Sequence, residues 1–356
     1  MRRFLFPFAW TLSALTASAI TISIDYTYDS TSFFSTYTDA RDALEQAAND
    51  VGSVINSSLG AISTDVFVGT SGSTSATLDW SMNFTNPTTG GAESLTTFTA
   101  AADTIVLYAG ARPLTGTTLG QGGPGSAGLG LGASGFGAEW EAAMDAAVAL
   151  SNASMLRGGE APVLNRFNSS FEFDGVTANY NAPYAPVIGN IWFDSDTDND
   201  TFVDNEATLL SSWHFDHTTS VGGGLNDFYS VALHEVLHGI GFGTSETWNN
   251  LVDGTTWLGT EAATLNGTGT NLVTGGHIAS GIFSTRLSDD GAQEVVMDPS
   301  ITTGTRKTLT DLDVAFLADL NYSVSAVPEP ANVAGGLGLL ALLGAWLDRR
   351  RRRRQV

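Results

Sequence analysis

The chain has 356 residues, with 37 acidic against 15 basic side chains and no cysteine. A net charge of −22 excludes nucleic acid as a partner and does not suit an anionic membrane surface. Without cysteine there can be no disulfide framework, thiolate–zinc site or cysteine nucleophile. At the N-terminus, Arg2 and Arg3, a short apolar stretch and Ala17-Ser18-Ala19 read as a secretory signal over residues 1–19, removed by signal peptidase. Pro7, Thr11 and Ser13 break that stretch, which argues against a membrane anchor there.

Ile20, Ile22, Ile24, Tyr26 and Tyr28 alternate with polar residues and predict a strand. Thr38 is placed to cap a helix whose apolar face holds Ala40, Leu44, Ala47, Ala48, Val51 and Ile55. Strands are predicted over 76–84 and 104–109. Residues 116–137 are rich in glycine and read as a flexible surface loop. Gly130, Gly132 and Gly135 match GxGxxG, but no strand immediately precedes them, so a dinucleotide site is rejected. A helix over 139–151 and strands over 171–173 and 187–193 follow.

Two acidic or histidine-bearing segments come next. Asp194, Asp196, Asp198 and Asp200 alternate in DSDTDND, with Asp204 and Glu206 beyond. Alternating carboxylates on a tight loop suit calcium, a hard cation that takes many oxygens. The EF-hand pattern is not met, because Asn199 and Asn205 stand at its glycine and glutamate positions; the other reading is a solvated acidic turn. In WHFDH, His214, Asp216 and His217 offer either a second, structural zinc site or a surface loop.

Residues 234–244 read HEVLHGIGFGT. His234 and His238 stand one helical turn apart on one face, in a helix that Asn226 or Asp227 can cap, so both imidazoles can reach one metal. Glu235 falls beside that face, placed to act as a general base toward water. Gly239 and Gly241 end the helix. The third ligand has to lie downstream. Position 244, where an HExxHxxGxxH pattern has its third histidine, is threonine. His277 in TGGHIASG is one candidate and Glu261 in GTEAATL another, the latter giving a His-His-Glu site. A long Gly/Thr/Asn-rich connection leads to a last helix over 310–320.

The C-terminus carries Val327-Pro328-Glu329-Pro330, an apolar run from 333 to 347, and Arg349 to Arg354. This order closely resembles the PEP-CTERM sorting signal of Gram-negative bacteria. The resemblance implies that an exosortase removes the tail and passes the protein to the cell surface or matrix. The domains are then a signal peptide (1–19), a catalytic domain (20–326) and a sorting signal (327–356), which contacts the membrane only before processing. Without the eight terminal arginines, Glu329 and Asp348, residues 20–326 hold 7 basic and 35 acidic side chains, a net of −28.

HEVLHGIGF, the displaced His277, VVMDPS around Met297 and the closing TLTDLDVAFLADLNY together resemble the leishmanolysin-like branch of the metzincin zinc proteases. The resemblance implies an α/β fold: a twisted mixed sheet with helices, an HExxH helix flooring a cleft, and an irregular C-terminal lobe. It implies zinc on His234, His238 and His277, Glu235 as the catalytic base, and Met297 packed beneath the metal. The implied activity is a metalloendopeptidase acting on protein or peptide substrates. No tyrosine follows Met297, so a tyrosine ligand is not expected. The alternative is a non-catalytic surface or matrix protein on the same scaffold. A serine hydrolase is not supported, since GxSxG does not occur.

Overall fold

The sheet that positions the site has four strands. Their spatial order is Thr21–Asp25, Thr104–Arg112, Ile188–Asp194 and Gly120–Pro124. The first three run parallel, and Gly120–Pro124 pairs antiparallel to Ile188–Asp194. The outer edge of Gly120–Pro124 has no strand partner among the described residues. The computed structural model describes residues 19–64 and 66–325, so the expected signal peptide before Ala19 and the tail from 327 onward lie outside them.

Alternation decides which face of the sheet is packed. Leu107, Ala109 and Ala111, with Ile191 and Phe193, are buried against the helix Thr38–Val54 and the HExxH helix Phe228–Gly239. Thr38 opens the first of these helices but does not cap it; the cap position is Tyr37, which makes no side-chain cap bond. The HExxH helix lies very close to the sheet. A side chain on Gly189 would meet the carbonyl of Gly239 at 2.8 Å, and one on Gly239 would meet Leu107 at 3.0 Å. Two glycines therefore set the height of the helix beneath the strands.

A second sheet is built on Thr74–Thr85, paired with Val66–Ser71, Ala92–Leu95 and Ser126–Ser134. With the helix Trp140–Met155 and the hairpin Asn165–Phe173/Val176–Tyr184 it encloses a separate core around Trp80 and Trp140. The hairpin strand is longer than the predicted 171–173.

The glycine-rich stretch corrects the expectation of a flexible loop. It forms the edge strand of the first sheet and then a nine-residue strand of the second. Gly125 sits at the corner between them, where a side chain would meet Ile188 at 2.5 Å. The glycines answer a demand for close approach, which composition alone does not distinguish from flexibility.

Beyond the HExxH helix, the stretch to Leu309 holds only two- and three-residue strands and two short helices, Glu246–Asn250 and Thr260–Asn266. The last helix, Asp311–Asp319, starts with a capping box between Thr310 and Asp313. The architecture is mixed α/β. Among the described residues no helix is long and apolar enough to cross a membrane.

Candidate metal centre

Asp227 caps the HExxH helix by accepting from the Ser230 N–H at 3.1 Å. It is fully buried, and Arg306 holds it through Nη2 at 2.7 Å. The same guanidinium donates to the carbonyls of Asp216, His217 and Thr219. Arg306 thus fixes the helix start to the WHFDH loop.

That loop does not gather its expected ligands. The His214 ring nitrogen faces Thr219, Asp216 accepts from Thr218, and the His217 ring stacks on Tyr229. The only two convergent donor groups among the described residues lie elsewhere.

One of them is His234, His238 and His277. His238 Nε2 lies 3.1 Å from His234 Nε2 and 3.2 Å from His277 Nε2. His234 Nδ1 is 2.9 Å from the Val296 carbonyl, and His238 Nδ1 is 2.9 Å from the Phe242 carbonyl. A carbonyl can only accept, so each Nδ1 carries the proton. Burial holds both rings well toward neutral, with His238 lowered to about 4 and His234 further depressed by His238. A neutral ring protonated at Nδ1 has a bare Nε2. Two bare nitrogens in contact cannot hydrogen-bond each other; the arrangement calls for a cation between them. Burial lowers His277 as well, against the attraction of Asp298. The donor set could hold a transition metal such as zinc, with carbonyls orienting two of the rings from behind as outer-shell partners do in such sites.

The path by which His277 reaches the site explains why Thr244 is not needed. Gly241 and Gly243 have positive φ angles of 104° and 75°, which turn the chain away after the helix. Thr244 ends up exposed. The chain returns in a hairpin, Val273–Thr274 with His277–Ile278, whose Gly276 backbone lies directly against Gly243. No side chain fits at that crossing. Glu261 is not brought to the imidazoles. It is exposed on the helix Thr260–Asn266, where its N–H donates to Asp319 at 2.9 Å.

Met297 is fully buried, and its segment ties the site together. Val296 receives His234, and Met297 accepts from the Ile278 N–H at 3.0 Å, next to His277. From below, the buried Asp313 carboxylate accepts from the Val296 and Met297 N–H groups. Lys307, the only lysine, is buried and donates to the carbonyls of Val295 and Ser300 while pairing with Glu294. No sequence signal marks these roles of Asp313 and Lys307. A capping box is legible, but its second use on a turn sixteen residues away is not.

Glu235 is 5 % exposed, and no donor among the described residues meets its carboxylate. Burial alone raises it to about 8. It sits under the edge strand: a side chain on Gly120 would meet its Cγ at 3.0 Å, and one on Gly122 would meet its backbone carbonyl at 2.5 Å. A Gly122→Ala variant should therefore lift the edge strand off the helix, with a destabilisation of about 1–3 kcal/mol. Chemical denaturation checks this, and unchanged stability would show the contact to be soft.

Glu235, the three histidines and the edge-strand glycines Gly120 and Gly122 line one cleft of about 950 Å³, together with Gln121 and Trp192. The acidic loop forms part of the rim through Thr197 and Asn199. Of its five candidate carboxylates, Asp196, Asp198 and Asp204 bring oxygens within 4.8 Å of one another. Asp194 instead accepts from the N–H groups of Leu114 and Asp196, and Asp200 from that of Phe202. Asp196 takes the Asp200 and Thr201 amides, while Asp204 takes Thr197. These bonds shape the turn that brings the three carboxylates together. Glu206 opens the helix Glu206–Ser212, which Asn205 caps.

No protein-family model matches the chain, and no curated protein or solved structure matches it either.

Proposed function

We propose that this protein is a zinc-dependent metalloendopeptidase of metzincin type. The observation that carries the proposal is the convergence of three imidazoles, two of them with a bare Nε2, beside a buried carboxylate that has no protein partner among the described residues. His234, His238 and His277 would hold the metal. Bound there, zinc supplies Lewis-acid polarisation of a carbonyl and acidifies water. Glu235 then takes a proton from the attacking water and returns it to the leaving amine. Buried beneath the edge strand, with no protein donor among the described residues, its carboxylate is left available to a water molecule beside the imidazoles. An extended peptide laid along the free edge of Gly120–Pro124 would gain main-chain hydrogen bonds and cross above Glu235.

The competing reading is a non-catalytic surface protein on this scaffold. The unpartnered Glu235 speaks against it, since burying such a group is a cost that a scaffold alone does not need. Metal analysis and casein digestion by residues 20–326 separate the two. Stoichiometric zinc without any proteolysis would favour the scaffold, and no zinc would sink the proposal.

Export and surface sorting belong to the same proposal and rest on the two ends of the sequence. Deletion of 327–356 should release a folded, active enzyme from the cell envelope. Retention of the truncated chain at the surface would show that the tail is not the sorting signal.

A further inference from the structure

Residues 20–326 hold seven cationic side chains in a body of net charge −28. Five of them pair with carboxylates. Arg157 donates to three carbonyls, those of Gly60, Ala101 and Pro186. Arg112 alone has neither a carboxylate nor a hydrogen-bond acceptor among the described residues. Its guanidinium carbon lies 4.1 Å from the centre of the Trp192 ring. On another side is Gly90, at a φ of 73°, where any side chain would collide with Nη1. The cation is thus held in a slot between an aromatic plate and a bare turn, with its N–H groups unspent. Burial depresses its proton affinity, and no charged neighbour offsets that.

The slot adjoins the cleft. Trp192 donates through Nε1 to Gln121 Oε1 at 3.0 Å, and both residues line the cleft wall. They are register partners in neighbouring strands, so they stand on one face of the sheet, opposite the face that covers the HExxH helix. A peptide added along the edge strand would place alternate side chains on that same face. The guanidinium over Trp192 is two strand spacings from such a backbone, roughly 10 Å, within reach of a long side chain or a chain end.

We infer that Arg112 is a specificity-determining residue which takes a carboxylate of the bound peptide, either an acidic side chain or the free C-terminus. The inference rests on the peptidase reading. A planar fork stacked on an aromatic ring is pre-organised for bidentate carboxylate binding. Elsewhere the acidic surface repels that group, so the preference is local to this slot.

The test uses the zinc-loaded Glu235→Gln protein, which should bind peptides without turning them over. Blocked octapeptides carry Glu or Gln at each position in turn, and a second pair differs in a free or amidated C-terminus; calorimetry reads the Kd. One member of one pair, the carboxylate, should bind about tenfold tighter, as a charge-assisted contact at a partly exposed site allows. Which pair shows it identifies the source of the carboxylate. Adding Arg112→Gln should erase the difference, and so should Arg112→Met, which keeps the stem on Trp192. Adding Arg41→Gln, which removes a cation paired with Glu45 elsewhere, should leave it. Peptides that bind without any carboxylate preference, or a preference that survives both neutral Arg112 variants, overturn the inference and leave the peptidase reading standing. If no peptide binds, both fall together.

Discussion

Glu235→Gln is expected to abolish nearly all proteolysis while leaving zinc content and melting temperature close to wild type. The amide has the same shape and cannot accept the proton. It also removes no hydrogen bond, because the carboxylate has no donor among the described residues. Its stem packs under Gly120, and glutamine fills that space equally well. The three imidazoles are held by carbonyls of Val296 and Phe242 and by the hairpin at Gly276, none of which depends on Glu235. Loss of a general base lowers turnover by on the order of a hundred- to ten-thousand-fold. Casein digestion and zinc analysis on the same preparation check the outcome. Near wild-type proteolysis would refute Glu235 as the base, and loss of zinc would show it to be a structural member of the site instead.

The sequence makes some of this site legible and hides the rest, for reasons that lie in the range of the interactions. The HExxH helix is readable because spacing, cap and stop signals are all local; Asp227 is indeed the cap. Strands of the first sheet are readable where Ile, Leu and Val alternate or run together. The edge strand GQGGP is not, because its defining property is the absence of side chains against Glu235 and Val231. His277 could be named from its order in the chain, but what brings it home is the Gly243–Gly276 crossing, a contact between two glycines that carry no pattern. The roles of Asp313, Lys307 and Arg306 depend on partners far along the chain, and no period or motif marks them. The WHFDH loop, which composition left open between a zinc site and a surface loop, follows the second reading: its backbone carbonyls serve Arg306 and its histidines point to separate neighbours.

His277→Ala should strip zinc and activity together, although it lies outside the motif that defines the helix. Two imidazoles alone leave a tetrahedral metal without a rigid frame. Loss of an outer-shell partner already weakens metal binding roughly 10–100-fold, so loss of a direct ligand should cost more. Fold should survive: His277 opens a two-residue strand on a surface hairpin, whose register and Ile278–Met297 bond do not use the imidazole. Glu261→Ala should keep both zinc and activity, because that side chain is exposed and outside the donor group. Thr244→Ala should do likewise, since Gly241 and Gly243 have already turned the chain outward before it. Bound zinc per chain, measured in all three variants after dialysis against a weak chelator, separates the assignments. A metal-free Glu261→Ala protein with a fully loaded His277→Ala protein would require the helix Thr260–Asn266 to leave its place against Asp319, and would overturn the three-histidine centre.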